Sequence, residues 1–453
     1  MSAITTKNPY TQEDLKTYNL ISDKELKQKL DLAEEQFQNW KSLQIKDRSK
    51  LLSNVAELLV ERKESYAKLM TQEMGKPITQ GIAEIEKCAW VCDFYAKNAD
   101  DFLADQLIDA DTYESFISYD PLGVILAIMP WNYPFWQVMR FAAPTLMAGN
   151  TALLKHASST TQCAIEIEKL FEDAGFPKGC FQTLLVSHSQ IETILNNDIV
   201  KAVSLTGSEG AGRKIAEIAG KNLKKAVLEL GGNNACIVLK DADLDKYIDT
   251  MAWARMQNAG QSCIAAKRFI VVEDIYEEFL SKFKSKVESY IIGSPTDSKT
   301  EIATMASLDL AKEVEEQVEK SLDRGAKVVY GNKRDHALYE PTILEAVTVD
   351  MPVFKEEVFG PVAAIIKVRN EDEAYKMASN SRFGLGSMVF TDNTEKAKKR
   401  VAEIEDGAFF INELVKSDPR LPFGGTKASG YGRELSKEGI LEFVNVKTVY
   451  INK

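Results

Sequence analysis

Histidine is scarce in this chain: 453 residues contain three, His156, His188 and His336. No two of them stand at metal-ligand spacing, which argues against a zinc hydrolase or a histidine relay. If the protein is an enzyme, its base is a carboxylate or a lysine. Cysteine is also sparse. Cys88, Cys92, Cys163, Cys180, Cys236 and Cys263 are scattered singly, with no CxxC. This pattern suits reduced thiols in a cytoplasmic protein and leaves room for one nucleophile. No apolar run reaches the roughly 18 residues of a membrane-spanning helix, and the stretch Met1 to Tyr10 is polar, unlike a signal peptide. A basic excess is missing too. Lys and Arg total 56 against 67 Asp and Glu, a net charge of −11, so neither nucleic acid nor an anionic membrane is an expected partner. What is present is an ordinary globular composition, 45% hydrophobic and 27% charged, long enough for about three domains.

Residues 22–103 read as helices, with Leu51, Leu52, Val55, Leu58 and Leu59 at helical spacing and a break at Met74-Gly75-Lys76-Pro77. The texture changes near Gly123. Val124 to Met129 is a continuous apolar run, as expected of a strand buried on both faces. Two prolines frame the loop Pro130-Trp131-Asn132-Tyr133-Pro134. A helix over 135–148 then stops at Gly149-Asn150, and a strand follows at 152–154. The alternation continues: helix 160–174, strand 181–186, a short helix 189–196, strand 202–205, helix 209–219 and strand 226–230. Such alternation predicts an open parallel sheet, which binds ligands at the carboxyl ends of its strands. A second α/β unit begins after Gly232, with a strand at 235–239 and a helix at 243–258. The segments 112–119 and 443–451 read as exposed strands that pair with each other or with a neighbouring subunit.

Five places offer chemistry. Cys263 closes Asn258-Ala259-Gly260-Gln261-Ser262-Cys263, where Gly260 permits a sharp turn; a buried structural cysteine is the competing reading. Glu229 ends an apolar strand before Gly231-Gly232, and a carboxylate buried there needs a task or a partner; an exposed strand-end glutamate is the alternative. Asn132, in the proline-framed loop, has a side-chain amide able to donate to an oxyanion, although turn asparagines are common. Thr206-Gly207-Ser208-Glu209-Gly210-Ala211-Gly212 joins a strand to a helix N-terminus, a geometry that suits phosphate without being a GxGxxG motif. Lys155 ends a neighbouring strand, where it can meet a ribose hydroxyl or a phosphate, or simply solvent.

Taken in order, Pro130-Trp131-Asn132, Lys155, Gly207-Ser208, Glu229-Leu230-Gly231-Gly232, Gly260-Gln261-Ser262-Cys263, Glu357-Val358-Phe359-Gly360-Pro361 and Pro422-Phe423-Gly424-Gly425 resemble the aldehyde dehydrogenase superfamily from about residue 20 onward. Pro134 to Arg140, Leu154 to Ser158 and Ala265 to Phe269 look most like short succinate-semialdehyde dehydrogenases. The resemblance implies an α/β fold with an open parallel-sheet cofactor domain (1–110 and 122–232), an α/β catalytic domain (233–430) and a small bridging β-sheet (111–121 and 431–453).

It further implies NAD(P)-dependent oxidation of an aldehyde to the acid, with Cys263 as nucleophile, Glu229 as the base that activates water and Asn132 as oxyanion donor. Gly207, Ser208 and Gly212 would meet the pyrophosphate, Lys155 the adenine ribose and Glu357 the nicotinamide ribose. Trp131, Leu230 and Phe359 complete the cofactor set. Strongly NAD-selective relatives carry a glutamate where this chain has Ser158, so NADP is expected to be accepted beside NAD. For an acid aldehyde, the resemblance points to Arg140 as a carboxylate clamp, with pairing to a structural carboxylate as the alternative. Gln257 stands where some relatives have a second arginine, and Ser417 or Arg420 is the expected compensation. Succinate semialdehyde is the expected substrate; a dehydrogenase of another small aliphatic or acid aldehyde, an acylating CoA-dependent enzyme and a non-catalytic α/β ligand-binding protein are the competing functions. No metal is expected. A small aldehyde is the expected partner, and a homodimer or homotetramer the expected assembly.

Overall fold

The computed structural model describes residues 3–453. Its centre is two parallel sheets. The first has the strands β1 (Val124–Met129), β2 (Thr151–His156), β3 (Phe181–Thr183), β4 (Val200–Thr206) and β5 (Lys225–Glu229), in the order β5-β4-β1-β2-β3 and all parallel. Four of the six residues in each of β1 and β2, Ile125, Leu126, Leu153 and Leu154 among them, have no exposed surface. Both faces are therefore covered, as continuous hydrophobic strands require. β3 stops at Thr183, short of the expected residue 186.

The chain order reverses between β1 and β4, which makes the crevice at their carboxyl ends the topological switch point. In register, Ile128 of β1 lies beside Lys155 of β2 and Leu205 of β4, and Thr206 of β4 lies beside Glu229 of β5. Lys155, the loop carrying Asn132, Gly207-Ser208 and Glu229 therefore share one edge of the sheet. Three helices matter to the site: α1 (Ile78–Phe102), α2 (Trp136–Met147) and α3 (Glu209–Lys221).

The second sheet runs, in spatial order, Lys327–Tyr330, Thr342–Glu345, Val362–Val368, Ala266–Val272, Asn234–Val238, Ser387–Phe390 and Phe409–Ile411. All its pairings are parallel except the one between Lys327–Tyr330 and Thr342–Glu345. Here the site loops lead into strands instead of leaving them: Cys263 precedes Ala266–Val272, and Glu357 precedes Val362–Val368. The carboxyl edge of one sheet thus meets the amino edge of the other.

The exposed strands Glu114–Pro121 and Val444–Ile451 pair with each other, antiparallel over their full lengths, and Gln106–Leu107 adds a third strand. Just before this sheet, Gly430–Tyr431 returns to pair antiparallel with β5. This covers the open edge beside Glu229, and sequence patterning had offered no sign of it. The N-terminal hairpin of Ala3–Lys7 and Asp14–Asn19 was likewise unexpected. No helix among the described residues is long and apolar enough to cross a membrane.

Candidate active site

The Cys263 loop owes its shape to left-handed backbone. Asn258, Ala259 and Gly260 have φ of 54°, 51° and 71°. Glycine tolerates this conformation freely, whereas each non-glycine residue costs roughly 1–2 kcal/mol. Gly260 is also required sterically, because a Cβ there would stand 2.3 Å from the Gly360 carbonyl oxygen. Buried polar groups hold the turn in place. Lys267 Nζ donates to the carbonyls of Ser262 and Cys263, each at 2.9 Å, and to Glu357 Oε1 at 3.0 Å. Asn234 Nδ2 donates to the Cys263 carbonyl at 2.7 Å. Glu357 Oε1 also accepts the Gly232 amide at 3.0 Å. A Cβ on Gly231 would fall 2.2 Å from Glu357, and one on Gly232 2.7 Å from the Cys263 carbonyl oxygen. The paired glycines after Glu229 therefore admit the Glu357 and Cys263 loops.

Asn132 is placed from the other side. Glu84 of α1 accepts the amides of Phe135 and Trp136, at 2.9 and 3.0 Å, which caps α2 from across the fold, and Glu84 is itself paired with the buried Lys76. The loop before α2 is pinned, and Asn132 Nδ2 donates to the Gln261 carbonyl at 3.1 Å. The Cys263 backbone N–H donates to no backbone acceptor among the described residues.

Of the six cysteines, five are buried and Cys263 alone is half-exposed. It lies where two cavities meet. One, of about 260 Å³, is lined by Trp131, Asn132, Gly207, Ser208, Leu230 and Glu357, among others. Trp131 and Phe359 meet edge to face there, with ring centroids 5.7 Å apart. The second, of about 230 Å³, is lined by Tyr133, Trp136, Arg140, Gln257, Ser417 and Phe423, among others. Gln137, which the sequence did not single out, joins Cys263 in lining both.

Burial pushes the Cys263 thiol up to about 11, although Arg140 and Lys267 pull it down. Glu229 is buried, not an exposed strand-end residue, and neither carboxylate oxygen has a hydrogen-bond partner among the described residues. Burial, reinforced by nearby Glu434, holds its carboxyl well above the usual range. Its Oε1 sits against Gly424, and the residue lines neither cavity.

Other expected residues fall out unevenly. Ser208 caps α3, its hydroxyl accepting the Ala211 amide at 3.4 Å. Gly212 is buried, and a Cβ would stand 2.6 Å from the Leu230 side chain, so it seats α3 on the strand end. Lys155 is half-buried beside exposed Ser158, at the sheet edge and outside both cavity walls.

Arg140 borders the second cavity, yet its guanidinium is engaged elsewhere. It is ion-paired with buried Glu434, donates to Thr206 Oγ1 at 3.3 Å and lies 4.5 Å over the Phe423 ring. Pairing to a structural carboxylate is thus the geometry found, and the helix position that faces the cavity gave no sign of Glu434, some 290 residues away. Arg420 does not compensate for Gln257: it is exposed and paired with Asp418 at 2.7 Å. His156 is a core residue. Its ring bonds to the Pro134 carbonyl at 2.9 Å, and burial lowers its pKa to about 4.

A half-exposed cysteine between a crevice at the switch point of one sheet and a second cavity is the arrangement of an enzyme that brings two reactants to one nucleophile. The sequence pattern of the aldehyde dehydrogenase family matches residues 1–449, and the chain belongs to that family. It is 48% identical to a probable NADP-dependent succinate-semialdehyde dehydrogenase of Synechocystis sp., over 99% of this chain and 100% of that one. It is 45% identical to the NADP-dependent succinate-semialdehyde dehydrogenase 1 of Mycobacterium tuberculosis, covering 99% of both. The succinic semialdehyde dehydrogenase of Streptococcus pyogenes, solved with NADP+, superposes with a TM-score of 0.97 at 40% identity, over 99% of this chain and 100% of that one.

Proposed function

We propose that the protein oxidises succinate semialdehyde to succinate with NADP as the preferred acceptor. One observation carries the chemistry: the half-exposed Cys263 thiol stands at the junction of two cavities, one for each reactant. The relatives' names supply the substrate and cofactor.

The crevice at the switch point suits a dinucleotide. Ser208, at the N-terminus of α3, would offer its backbone amide to a pyrophosphate, and Gly207, whose own amide donates to the Glu229 carbonyl at 3.0 Å, would let the phosphate approach the turn. Glu357 would take the nicotinamide ribose, with Trp131, Leu230 and Phe359 packed around it. Lys155, which forms no ion pair among the described residues, and Ser158 would receive a 2′-phosphate. Gly212 supports this set from behind through Leu230. Bound there, the nicotinamide supplies the hydride acceptor.

The protein's own residues build the hydride donor. The Cys263 thiol passes its proton to Glu229, which releases it to solvent, and the sulfur adds to the aldehyde carbon; the Asn132 side-chain amide and the Cys263 N–H hold the resulting oxyanion, each worth roughly 10²–10³ in rate. After oxidation the carbon remains on Cys263 as a thioester. Glu229 then takes a proton from the attacking water, a role that suits a carboxyl of raised pKa. Because Glu229 lines neither cavity, the side chain would turn toward Cys263 to act.

The sheet of Glu114–Pro121 and Val444–Ile451 exposes Leu107, Val446 and Tyr450, which favours a homodimer or homotetramer built through it. The six unpaired thiols suit a cytoplasmic protein.

A panel of aldehydes run with NADP and with NAD, without CoA, tests the reading. Succinate semialdehyde with NADP should give the highest kcat/KM and yield free succinate. Cys263→Ser should abolish NADPH formation, and unchanged turnover in that variant would refute the mechanism.

A further inference from the structure

Among the described residues, only Cys263 and Gln137 line both cavities. The proposed function gives each cavity one reactant, and the thioester that follows oxidation stands on Cys263, at the boundary between them. A water that hydrolyses it has to be held at that boundary. Water at an enclosed site needs several polar partners, so the polar groups there decide where it sits.

Gln137 is the second residue of α2 and is 2% exposed. Its backbone amide donates to the Tyr133 carbonyl at 3.0 Å, which ties it to the proline-framed loop that carries Asn132. Its side-chain oxygen has no hydrogen-bond partner among the described residues. A buried acceptor left unpaired is costly, and a methionine would fill the same space without that cost. The oxygen is not alone. Asn132 Oδ1 and both carboxylate oxygens of Glu229 are buried and unpaired as well. Such acceptors call for an explanation, and here they belong to three residues gathered at one sulfur: Asn132 and Gln137 share a cavity wall with Cys263, and Glu229 is near enough to push its thiol up.

Gln137 also stands on the side of the base. It lies one turn before Arg140, on the same face of α2. Arg140 Nη2 donates to Thr206 Oγ1 at 3.3 Å, and Thr206 is in register with Glu229. The other polar groups of the cofactor cavity near Cys263 are committed. Asn132 Nδ2 is the expected oxyanion donor, Thr206 already accepts from Arg140, and Glu357 Oε1 accepts from Lys267 and Gly232. A half-turn about the last side-chain bond exchanges the oxygen and nitrogen of a glutamine amide in place. Gln137 can thus present its acceptor to a water without moving the rest of its chain.

We propose that Gln137 holds the water that hydrolyses the thioester, by accepting a hydrogen bond from the O–H that is not broken. The inference rests on the proposed cysteine mechanism and adds the residue that orients its water. As the water oxygen bonds to the acyl carbon, Glu229 takes the other proton. On collapse the C–S bond breaks, and the sulfur leaves with its electron pair and recovers a proton from Glu229. The O–H held by Gln137 becomes the acid group of the product, which loses its proton to solvent. A neutral amide suits this task, because it accepts without competing with Glu229 for the proton.

Single-turnover reactions quenched in acid separate the two half-reactions, with NADPH read by absorbance and the acyl-enzyme by intact mass. Gln137→Met keeps the length of the side chain and removes both polar atoms. It should form NADPH within about twofold of the wild-type rate, while loss of the acyl-enzyme slows roughly 3- to 10-fold, the range for one neutral hydrogen bond. The acyl-enzyme should therefore build up during turnover. Equal slowing of both half-reactions would leave Gln137 a wall residue only and overturn the proposal, as would an unchanged rate of acyl-enzyme loss. Gln137→Leu carries the same comparison if Gln137→Met does not fold. A wild type that is acylated by butanal but not by succinate semialdehyde would sink the proposed substrate instead, and the butanal acyl-enzyme would then decide the part of Gln137.

Discussion

Replacing Arg140 by methionine should destabilise the fold by an amount that depends on pH. Methionine fills much of the aliphatic volume but leaves Glu434, buried and paired with the guanidinium, without its cation. At a separation of about 3 Å and an effective dielectric constant of about 20, the pair is worth roughly 5 kcal/mol of attraction. The full loss is not felt, because Glu434 can take up a proton. The carboxyl has an ordinary value of 4.5, and the folded value is already raised by burial in spite of Arg140.

A carboxyl whose folded pKa is raised weakens the fold above its unfolded pKa, and the penalty fades as pH falls toward 4.5. At about 1.4 kcal/mol per pH unit, holding Glu434 neutral in the fold costs at most about 3.4 kcal/mol at pH 7 and about 0.7 kcal/mol at pH 5. Wild type already carries part of this penalty, so the difference between the proteins lies below those ceilings. Adjacent Glu229, its own pKa already well raised, adds little. Urea unfolding of wild type and Arg140→Met, at one fixed protein concentration and at pH 7 and 5, measures both differences. Arg140→Met/Glu434→Gln should lose the pH dependence. The reasoning is refuted if the stability loss is the same at both pH values. It is equally refuted if stability is untouched while KM rises for succinate semialdehyde alone, since the guanidinium would then be a substrate clamp.

Two further outcomes follow from the geometry. Glu229→Gln should retain a pre-steady-state burst of NADPH while the steady state slows by roughly 10²–10⁴; stopped-flow fluorescence distinguishes this from loss of the burst, which would contradict the role in thioester hydrolysis. Ser158→Glu places a carboxylate beside Lys155, where each charge pair is worth about 1 kcal/mol at 4 Å in water. Against a doubly charged 2′-phosphate this amounts to about 2 kcal/mol, so kcat/KM with NADP should fall roughly thirtyfold while that with NAD holds. Parallel cofactor titrations measure it, and an unchanged ratio would place the phosphate elsewhere.

Much of the first sheet was legible because parallel strands buried on both faces must be uninterrupted apolar runs, and the turns between them end in glycine. Val124 to Met129 and the stop at Gly149-Asn150 are plain in the chain, as is the alternation through Glu229. The Cys263 turn was legible through Gly260, though the left-handed Asn258 and Ala259 before it were not, since neither residue type announces a positive φ. What stayed hidden has a common physical form, a polar contact between segments far apart in the chain. Lys87 meets Ser417, Arg140 meets Glu434, and Lys267 clamps Glu357. Helix periodicity around Lys87 reports which face is buried. It cannot report that a loop more than 300 residues later brings a hydroxyl to the ammonium. Gly212 fits the same pattern, because the need for glycine comes from Leu230 on another element.

The net charge of −11 poses a problem that the cavities resolve. An anionic substrate and an anionic cofactor approach a molecule with an overall acidic surface, so attraction must come from cations that are not already cancelled. Counting the cations near the site is therefore the wrong measure; what matters is which of them lack a carboxylate partner. Arg140 and Lys267 are deeply buried, and both are compensated, by Glu434 and Glu357. Their charge shapes Glu229 and Cys263 and holds loops in place, at little net gain for an incoming anion. Lys155 at the sheet edge and Lys87 in the second cavity carry no such partner among the described residues. Lys155 lies at the carboxyl edge of the first sheet and Lys87 in the wall of the cavity onto which Cys263 opens, so the positive charge without a carboxylate partner is divided between two places.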